Sequence, residues 1–240
     1  MTQAVTLTIQ DNIALITLNS PPVNALGVNV RSGILTGFEQ AIKNESVQAI
    51  IIASAGKIFC AGADVSEFGS DKAFASPSLP ELCNTLEEST KPIIAAVNGM
   101  ALGGGCELAL ACDYRIALPQ TKLGLPEVNL GLLPGAGGTQ RLPRLAGPQL
   151  ALEMITSGKP FAAGVMKENG LIDVISEEGD FLEAAINYAK ELVEINAPLK
   201  SCATMDVNTS ELGDDFFGDF RKSIARRTRG FKAPEACIQV

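Results

Sequence analysis

Ile93-Ile94-Ala95-Ala96-Val97-Asn98-Gly99-Met100-Ala101-Leu102-Gly103-Gly104-Gly105-Cys106-Glu107 passes from an apolar run, through a loop of small residues, to an acidic side chain where a helix is due to start. A short apolar run bounded by turn residues reads as a buried strand. Glycines in the loop let something approach the backbone closely, and a helix over Leu108 to Cys112 is expected next. The same plan stands upstream, where Ala49 to Ala53 leads into Gly56-Lys57-Ile58-Phe59-Cys60-Ala61-Gly62-Ala63-Asp64. What recurs is a strand-turn-helix plan and not a repeated sequence.

The pattern extends outward in both directions. Val5 to Gln10 alternates apolar and polar residues, Asp11-Asn12 supplies turn chemistry, and Ile13 to Leu18 reads as the returning strand of an opening hairpin. After the Pro21-Pro22 break, Val30, Ile34, Phe38, Ala41 and Ile42 recur at helical spacing between Gly27 and Lys43. The segment Ser70 to Pro80 is polar and proline-containing, which suits a mobile surface loop able to wall a pocket. From Gly147 onward helical spacing dominates, with Leu150, Met154 and Ile155 on one face and Phe181, Ala184, Ala185, Tyr188 and Leu192 on another. Asn196-Ala197-Pro198 marks a boundary, because a proline pushes the residue before it out of the helical region. The expected division is a core over 1–195 that holds the site, followed by a helical segment over 196–240.

A chain of 240 residues, 46% apolar and 19% charged, can bury a sizeable core as one domain with a smaller appendage. Its net charge of -8 argues against a nucleic-acid partner, since phosphate binding draws its affinity from a basic face. No Lys or Arg precedes Arg31, so the charged start of a secretory signal is missing. The apolar runs are far shorter than the roughly 20 residues of a membrane span. The expectation is a soluble, unsecreted protein with no membrane span. Cys60, Cys83, Cys106, Cys112, Cys202 and Cys237 include no C-x-x-C pair, which favours buried thiols over a zinc knuckle. Histidine is absent altogether. That excludes a histidine base, a Ser-His-Asp triad and a histidine-ligated metal, and leaves proton transfer to carboxylates, lysines, cysteines or tyrosines.

Two glutamates stand beside glycine-rich segments. Glu107 follows the triple glycine, and Glu127 sits in Gly124-Leu125-Pro126-Glu127, just before Gly131-Leu132-Leu133-Pro134-Gly135-Ala136-Gly137-Gly138-Thr139-Gln140-Arg141. Glycines at a helix start leave backbone N–H groups uncovered, where the helix dipole favours developing negative charge. Apolar neighbours such as Leu108, Leu125 and Val128 can raise a carboxyl pKa. Read alone, three glycines are most often a flexible loop, and either glutamate is better read as a solvated charge or a structural ion pair. A dinucleotide fingerprint fails at Gln140, which stands where its third glycine belongs, and no phosphate-binding G-x-x-x-x-G-K-[ST] loop occurs.

Taken together, these segments resemble the enoyl-CoA hydratase/isomerase (crotonase) family along nearly the whole chain. The resemblance is carried by Leu18-Asn19-Ser20-Pro21-Pro22-Val23-Asn24-Ala25-Leu26, Phe59-Cys60-Ala61-Gly62-Ala63-Asp64, Ala101 to Ala109, and Gly124 to Glu127 through Pro134 to Arg141. It implies an α/β fold, the crotonase (ClpP/crotonase-like) spiral of ββα units, with a helical C-terminal region that in the family mediates trimer contacts. It also implies that the N–H groups of Ala61 and Gly104 form an oxyanion hole for a thioester oxygen, and that Glu107 and Glu127 are the acid/base pair. Glu107 would activate water for the β-carbon of a trans-2-enoyl-CoA, and Glu127 would give the α-carbon its proton. Coenzyme A, part of the acyl-CoA substrate, would run past Val23, Ala25, Ala61, Ala63, Asp64 and Val65 beside Gly103 and Gly104. No metal and no separate cofactor is implied.

The expected product is a 3-hydroxyacyl-CoA of fatty-acid β-oxidation, made in the cytoplasm or, in a eukaryote, the peroxisome. Moving a double bond from the 3- to the 2-position with the same glutamates is the near alternative. A non-catalytic binding protein on the same fold is the distant one, disfavoured by the acidic charge and the intact glutamate pair. The cluster Arg221, Lys222, Arg226, Arg227, Arg229 and Lys232 reads either as a solvated helix face or as attraction for CoA phosphates or an interdomain contact. Ser223 to Val240 resembles the junction of multifunctional β-oxidation enzymes, and Ala236 to Val240 is an apolar helical stretch without a polar ending. The expectation is therefore an N-terminal portion of a longer protein, with a 3-hydroxyacyl-CoA dehydrogenase as its covalent or interdomain partner and a homo-oligomer left open.

Overall fold

The structure, a computed structural model, describes residues 3–177, 179–210 and 212–240. Strands β1 (Val5–Gln10) and β2 (Ile13–Leu18) form the expected antiparallel hairpin, with Gln10 opposite Ile13. Asp11 and Asn12 turn it at φ of 50° and 64°, which short polar side chains tolerate. Helix α1 (Val28–Lys43) crosses to β3 (Ala49–Ser54), parallel to β2, and α2 (Leu79–Glu87) crosses to β4 (Ile93–Val97), parallel to β3. The chain then makes β5 (Met100–Leu102), α3 (Gly104–Leu110) and β6 (Tyr114–Ala117), which returns beside β4. Strand β7 (Lys122–Gly124) pairs parallel with β5, and a second, small sheet is completed by β8 (Phe161–Ala162) after α4 (Gly138–Ala146) and α5 (Pro148–Ser157). Helix α6 (Ala163–Glu168) leads to β9 (Val174–Ile175) on the edge of the larger sheet, whose order is β1-β2-β3-β4-β6-β9. Helices α7 (Phe181–Glu194), α8 (Phe216–Ile224) and α9 (Ala233–Gln239) follow.

Successive side chains of a strand point to opposite faces, and both faces of the large sheet are covered. Ala14, Ile16, Leu18, Ile50, Ile52, Ile93, Ala95 and Val97 point into the main core, shared with Ile34 and Phe38 of α1 and with Leu150, Met154 and Ile155 of α5. Ile13, Leu15, Ile51, Ile94, Tyr114 and Ile116 point the other way, onto Ala185, Ile186, Ala189 and Leu192 of α7. That double cover explains why β3 and β4 read as continuous apolar runs and not as alternating ones. Helix α9 packs on α5 and sends Cys237 into the main core.

Two expectations change. The helix expected to begin at Leu108 begins at Gly104, because Gly103 takes φ 52° and ψ −128°, a conformation open to glycine, and its carbonyl accepts the Glu107 N–H at 3.0 Å. The segment Ser70 to Pro80 is tied down: it holds a one-turn 3-10 helix (Asp71–Phe74) and the Ser78–Glu81 capping box that opens α2. Arg31 reaches it from α1, fully buried, and donates to the carbonyls of Lys72, Ala75 and Pro77 at 3.0, 3.3 and 2.7 Å.

Candidate active site

Two loops, each following a parallel strand, cross at the edge of the small sheet. Residues 59–62 are laced to β5 by Phe59 N–H on Asn98 O (2.9 Å), Cys60 N–H on Met100 O (3.1 Å) and Leu102 N–H on Cys60 O (2.9 Å). Gly62, at φ 107°, is pressed so close that a Cβ there would stand 2.9 Å from Leu102 O and 3.5 Å from Gly104 N. A Cβ on Gly104 would stand 3.4 Å from Ala63 N. The amides of Ala63 and Gly104 thus converge, and neither finds a hydrogen-bond acceptor among the described residues. Such paired, unengaged N–H groups are what an oxyanion needs.

Ala61 does not share in this pair. Its N–H donates to Val23 O at 3.0 Å, so the donor expected there is already committed inside the fold. The cause is the path of residues 23–26, which run alongside the loop: Leu26 N–H donates to Gly62 O at 2.8 Å, and the buried Asn24 amide donates to the carbonyls of Ile58 and Phe59. Val23, Ala25, Ala61 and Ala63 are accordingly brought to one crossing, with Ala61 and Ala63 exposed. Asp64 is occupied in capping the short helix Val65–Glu67 through Ser66 N–H at 3.0 Å, and Val65 beyond it is 68% exposed.

The two glutamates flank this crossing in unequal surroundings. Glu107, in the first turn of α3, is buried, and its Oε1 accepts the N–H groups of Ala136 and Gly138 at 2.7 and 2.9 Å. Burial pushes its carboxyl above the ordinary value, while those two amides and the charge of Arg141 pull it back down. Glu127 sits in a one-turn 3-10 helix (Pro126–Leu130) closed by Gly131 in the left-handed conformation, with Oε1 3.1 Å from where a Gly103 Cβ would be. Its buried Oε2 has no hydrogen-bond partner among the described residues. Burial, reinforced by the negative charge of Glu107 and opposed by its own backbone N–H, raises Glu127 to about 7. Two amide donors favour the charged form of Glu107 and none meets Glu127 Oε2, so a proton shared by the pair is better placed on Glu127.

Gly103 lies against the Glu127 carboxyl, and Gly104, next to it, supplies one of the two converging amides. The sequence did not single out Leu79, whose Cδ2 would lie 2.5 Å from a Gly104 Cβ, nor Leu26, whose Cδ1 would lie at 3.5 Å. No local pattern marks a leucine from α2 as a wall of this site. In the basic cluster, Arg221 pairs with Glu235 and Lys222 with Asp215 and Asp219 inside the C-terminal segment, whereas Arg227 reaches out to the Thr156 hydroxyl of α5. All six cysteines are buried free thiols, and burial lifts Cys60, at the loop crossing, to about 12. No group of three or more Cys, Asp or Glu side chains that could hold a metal ion occurs among the described residues, and no helix there is long and apolar enough to cross a membrane.

Comparison with known proteins identifies the family of the chain. The family model described as enoyl-CoA hydratase/isomerase matches residues 8–211. The chain is 40% identical to the peroxisomal bifunctional enzyme of Cavia porcellus over 236 residues, covering 97% of this chain and 32% of that protein. It is 36% identical to a probable enoyl-CoA hydratase of Bacillus subtilis (strain 168), covering 97% of this chain and 92% of that one. Among solved structures, the enoyl-CoA hydratase of Bacillus anthracis superposes with a TM-score of 0.75 at 36% identity, over 79% of this chain and 76% of that chain. The chain thus spans about a third of the length of the bifunctional relatives it matches. Motifs, spiral fold and family match converge, and the chain belongs to the enoyl-CoA hydratase/isomerase family.

Proposed function

We propose that this chain hydrates trans-2-enoyl-CoA to 3-hydroxyacyl-CoA. The observation that carries the reading is the unequal pair of buried carboxyls beside two unengaged amides: Glu127 near 7 with a bare Oε2, and Glu107 held by two N–H donors. In this reading Ala63 and Gly104 take the thioester oxygen, so that charge arriving at the β-carbon during attack is drained onto a stabilised enolate oxygen. Glu107, ionised, accepts a proton from water as the water oxygen bonds to the β-carbon. Glu127, protonated, delivers its proton to the α-carbon as the enolate collapses. Water has then been added across the double bond, and proton exchange between the two carboxyls and solvent resets the pair. Loss of one oxyanion donor costs about 2.7–4 kcal/mol in such systems.

The bifunctional and multifunctional names of the longer relatives support a place in fatty-acid β-oxidation, and the peroxisomal name a place in that compartment. The product is a secondary alcohol, and a dehydrogenase acting on it is the partner whose chemistry comes next. Crotonyl-CoA turnover, followed by loss of enoyl absorbance, tests the reaction; a 3-enoyl-CoA run alongside separates double-bond migration from hydration. Glu127→Gln is expected to lower hydratase kcat by at least roughly 10²-fold with substrate binding kept, since proton delivery acts only in the transition state. Near-normal turnover by this variant would overturn the assignment.

A further inference from the structure

Arg141 lies one layer behind Glu107 and touches neither the carboxylate nor the loop crossing. Its guanidinium is buried and fully directed. Nη1 donates to Ala136 O at 2.7 Å, Nε and Nη2 donate to Glu87 Oε2 at 2.9 and 2.6 Å, and Nη2 also donates to Asn84 Oδ1 at 2.9 Å. Ala136 is therefore gripped from both sides, its N–H by Glu107 and its carbonyl by Arg141. Gly137, at φ 99°, makes the grip possible: a Cβ there would stand 2.1 Å from Arg141 Nη1. The main chain closes the same turn, with Arg141 N–H on Gly137 O at 2.8 Å. At the far end Glu87 uses its other oxygen to accept Ala203 N–H at 2.8 Å and the Ser201 hydroxyl at 3.3 Å. Burial alone would raise Glu87, but Arg141 and the Ala203 amide hold it below the ordinary carboxylate value, so the pair stays ionic.

We propose that Arg141, anchored on Glu87 and Asn84 of α2, is the positioning residue that sets loop 136–138 around Glu107 and so aims the base. The inference rests on the reading of Glu107 as that base. A planar fork fixed at one end by a carboxylate and an amide oxygen leaves its remaining arm a single direction, and that direction is the Ala136 carbonyl. A lysine at this position carries the charge but has no fork, and a glutamine carries neither.

The charged and titratable groups that bear on Glu107 are Arg141 from α4, Glu127 from the 3-10 helix, Cys83 from α2 and its neighbour Cys106 in α3. Both thiols are pushed up by burial and stay neutral, which leaves Arg141 and Glu127 to act on it electrostatically. Removing Arg141 takes away a cation that favours the carboxylate and loosens an amide that donates to it, and both effects raise the Glu107 titration midpoint.

The test combines crotonyl-CoA kinetics with the ¹³C-carboxyl titration of Glu107, assigned by its loss in Glu107→Gln. Arg141→Gln should lower kcat about 10²-fold, the scale of a misplaced catalytic group, with KM little changed and the Glu107 midpoint raised. Arg141→Lys and Glu87→Gln both keep a cation at residue 141 and spoil the fork. They should lose kcat at least tenfold with a smaller midpoint rise than in Arg141→Gln, since only the loosened amide and not the lost cation acts on Glu107, a split that a purely electrostatic role would not give. These two variants carry the test if Arg141→Gln does not fold. If kcat of both stays within twofold of the parent protein, the inference is overturned. Should the parent protein not hydrate crotonyl-CoA, the proposed reaction fails on its own, and an unmoved Glu107 midpoint in Arg141→Gln would then overturn the positioning role independently.

Discussion

Glu127 keeps a proton at a pH where an exposed glutamate has long lost its own, and this has a signature in stability as well as in rate. Its folded pKa, about 7, lies above the ordinary 4.5, so between those values the folded chain binds more protons than the unfolded one. Stability is therefore present in full below about 4.5 and declines as pH rises towards 7, beyond which this contribution is level. Glu127→Gln stays neutral throughout and escapes the decline. The melting temperature of the variant should exceed that of the parent protein by an amount that grows between pH 4.5 and 7 and is constant above. Calorimetry across that range checks the sign; a difference that shrinks with pH would mean that the carboxylate is stabilised by the fold and not penalised by it. At this scale the two candidate carboxyls were legible in the sequence, since a chain with no histidine has few candidates for proton transfer and the resemblance pointed to two of them. What could not be read was the donor at residue 61. Whether a loop N–H points at solvent or at a neighbouring carbonyl depends on how residues 23–26 pass it, and that is a contact between segments far apart in sequence.

The elements followed their sequence signals where the signal was local. The hairpin, α1 and the buried strands lie where alternation, helical spacing and apolar runs put them. The first turn of α3 was missed because Gly104 and Gly105 weigh against a helix by propensity, by about 1 kcal/mol each relative to alanine. Tertiary fit overrides propensity here: a Cβ on Gly105 would stand 2.4 Å from Cys60 O and 2.7 Å from Cys60 Cβ. Gly105→Ala consequently sets a gain of about 1 kcal/mol in helix propensity against the overpacking of a backbone carbonyl, typically about 1–3 kcal/mol or more. The expected result is a net loss of stability with a melting temperature lower by several degrees, and a variant as stable as its parent would show that α3 can slide away from the Cys60 loop. The loop before α2 was misread for a different reason. Its polar, proline-containing composition describes its outer surface, whereas its order comes from Arg31, a basic residue of α1 that no local pattern marks as buried.

Across the whole molecule, every cysteine is a free thiol shut away from solvent. Burial raises the pKa of each, to about 12 for Cys60 and Cys112 and about 11 for Cys202 and Cys237. A thiol in that state reacts with an alkylating reagent only when its surroundings open. The six side chains therefore act as clocks distributed through the chain, each reporting how often its own neighbourhood breathes. Cys237, on α9, and Cys202, in a single turn of 3-10 helix, are the least deeply buried of the six, at 6% and 4% exposure against 2% or less for the others, and mass spectrometry of a slow labelling reaction should find them modified first. Cys60, Cys83, Cys106 and Cys112 lie in the closed interior around the candidate site and should be released together and late. Simultaneous labelling of all six would mean that the ends of the molecule open no more often than its centre.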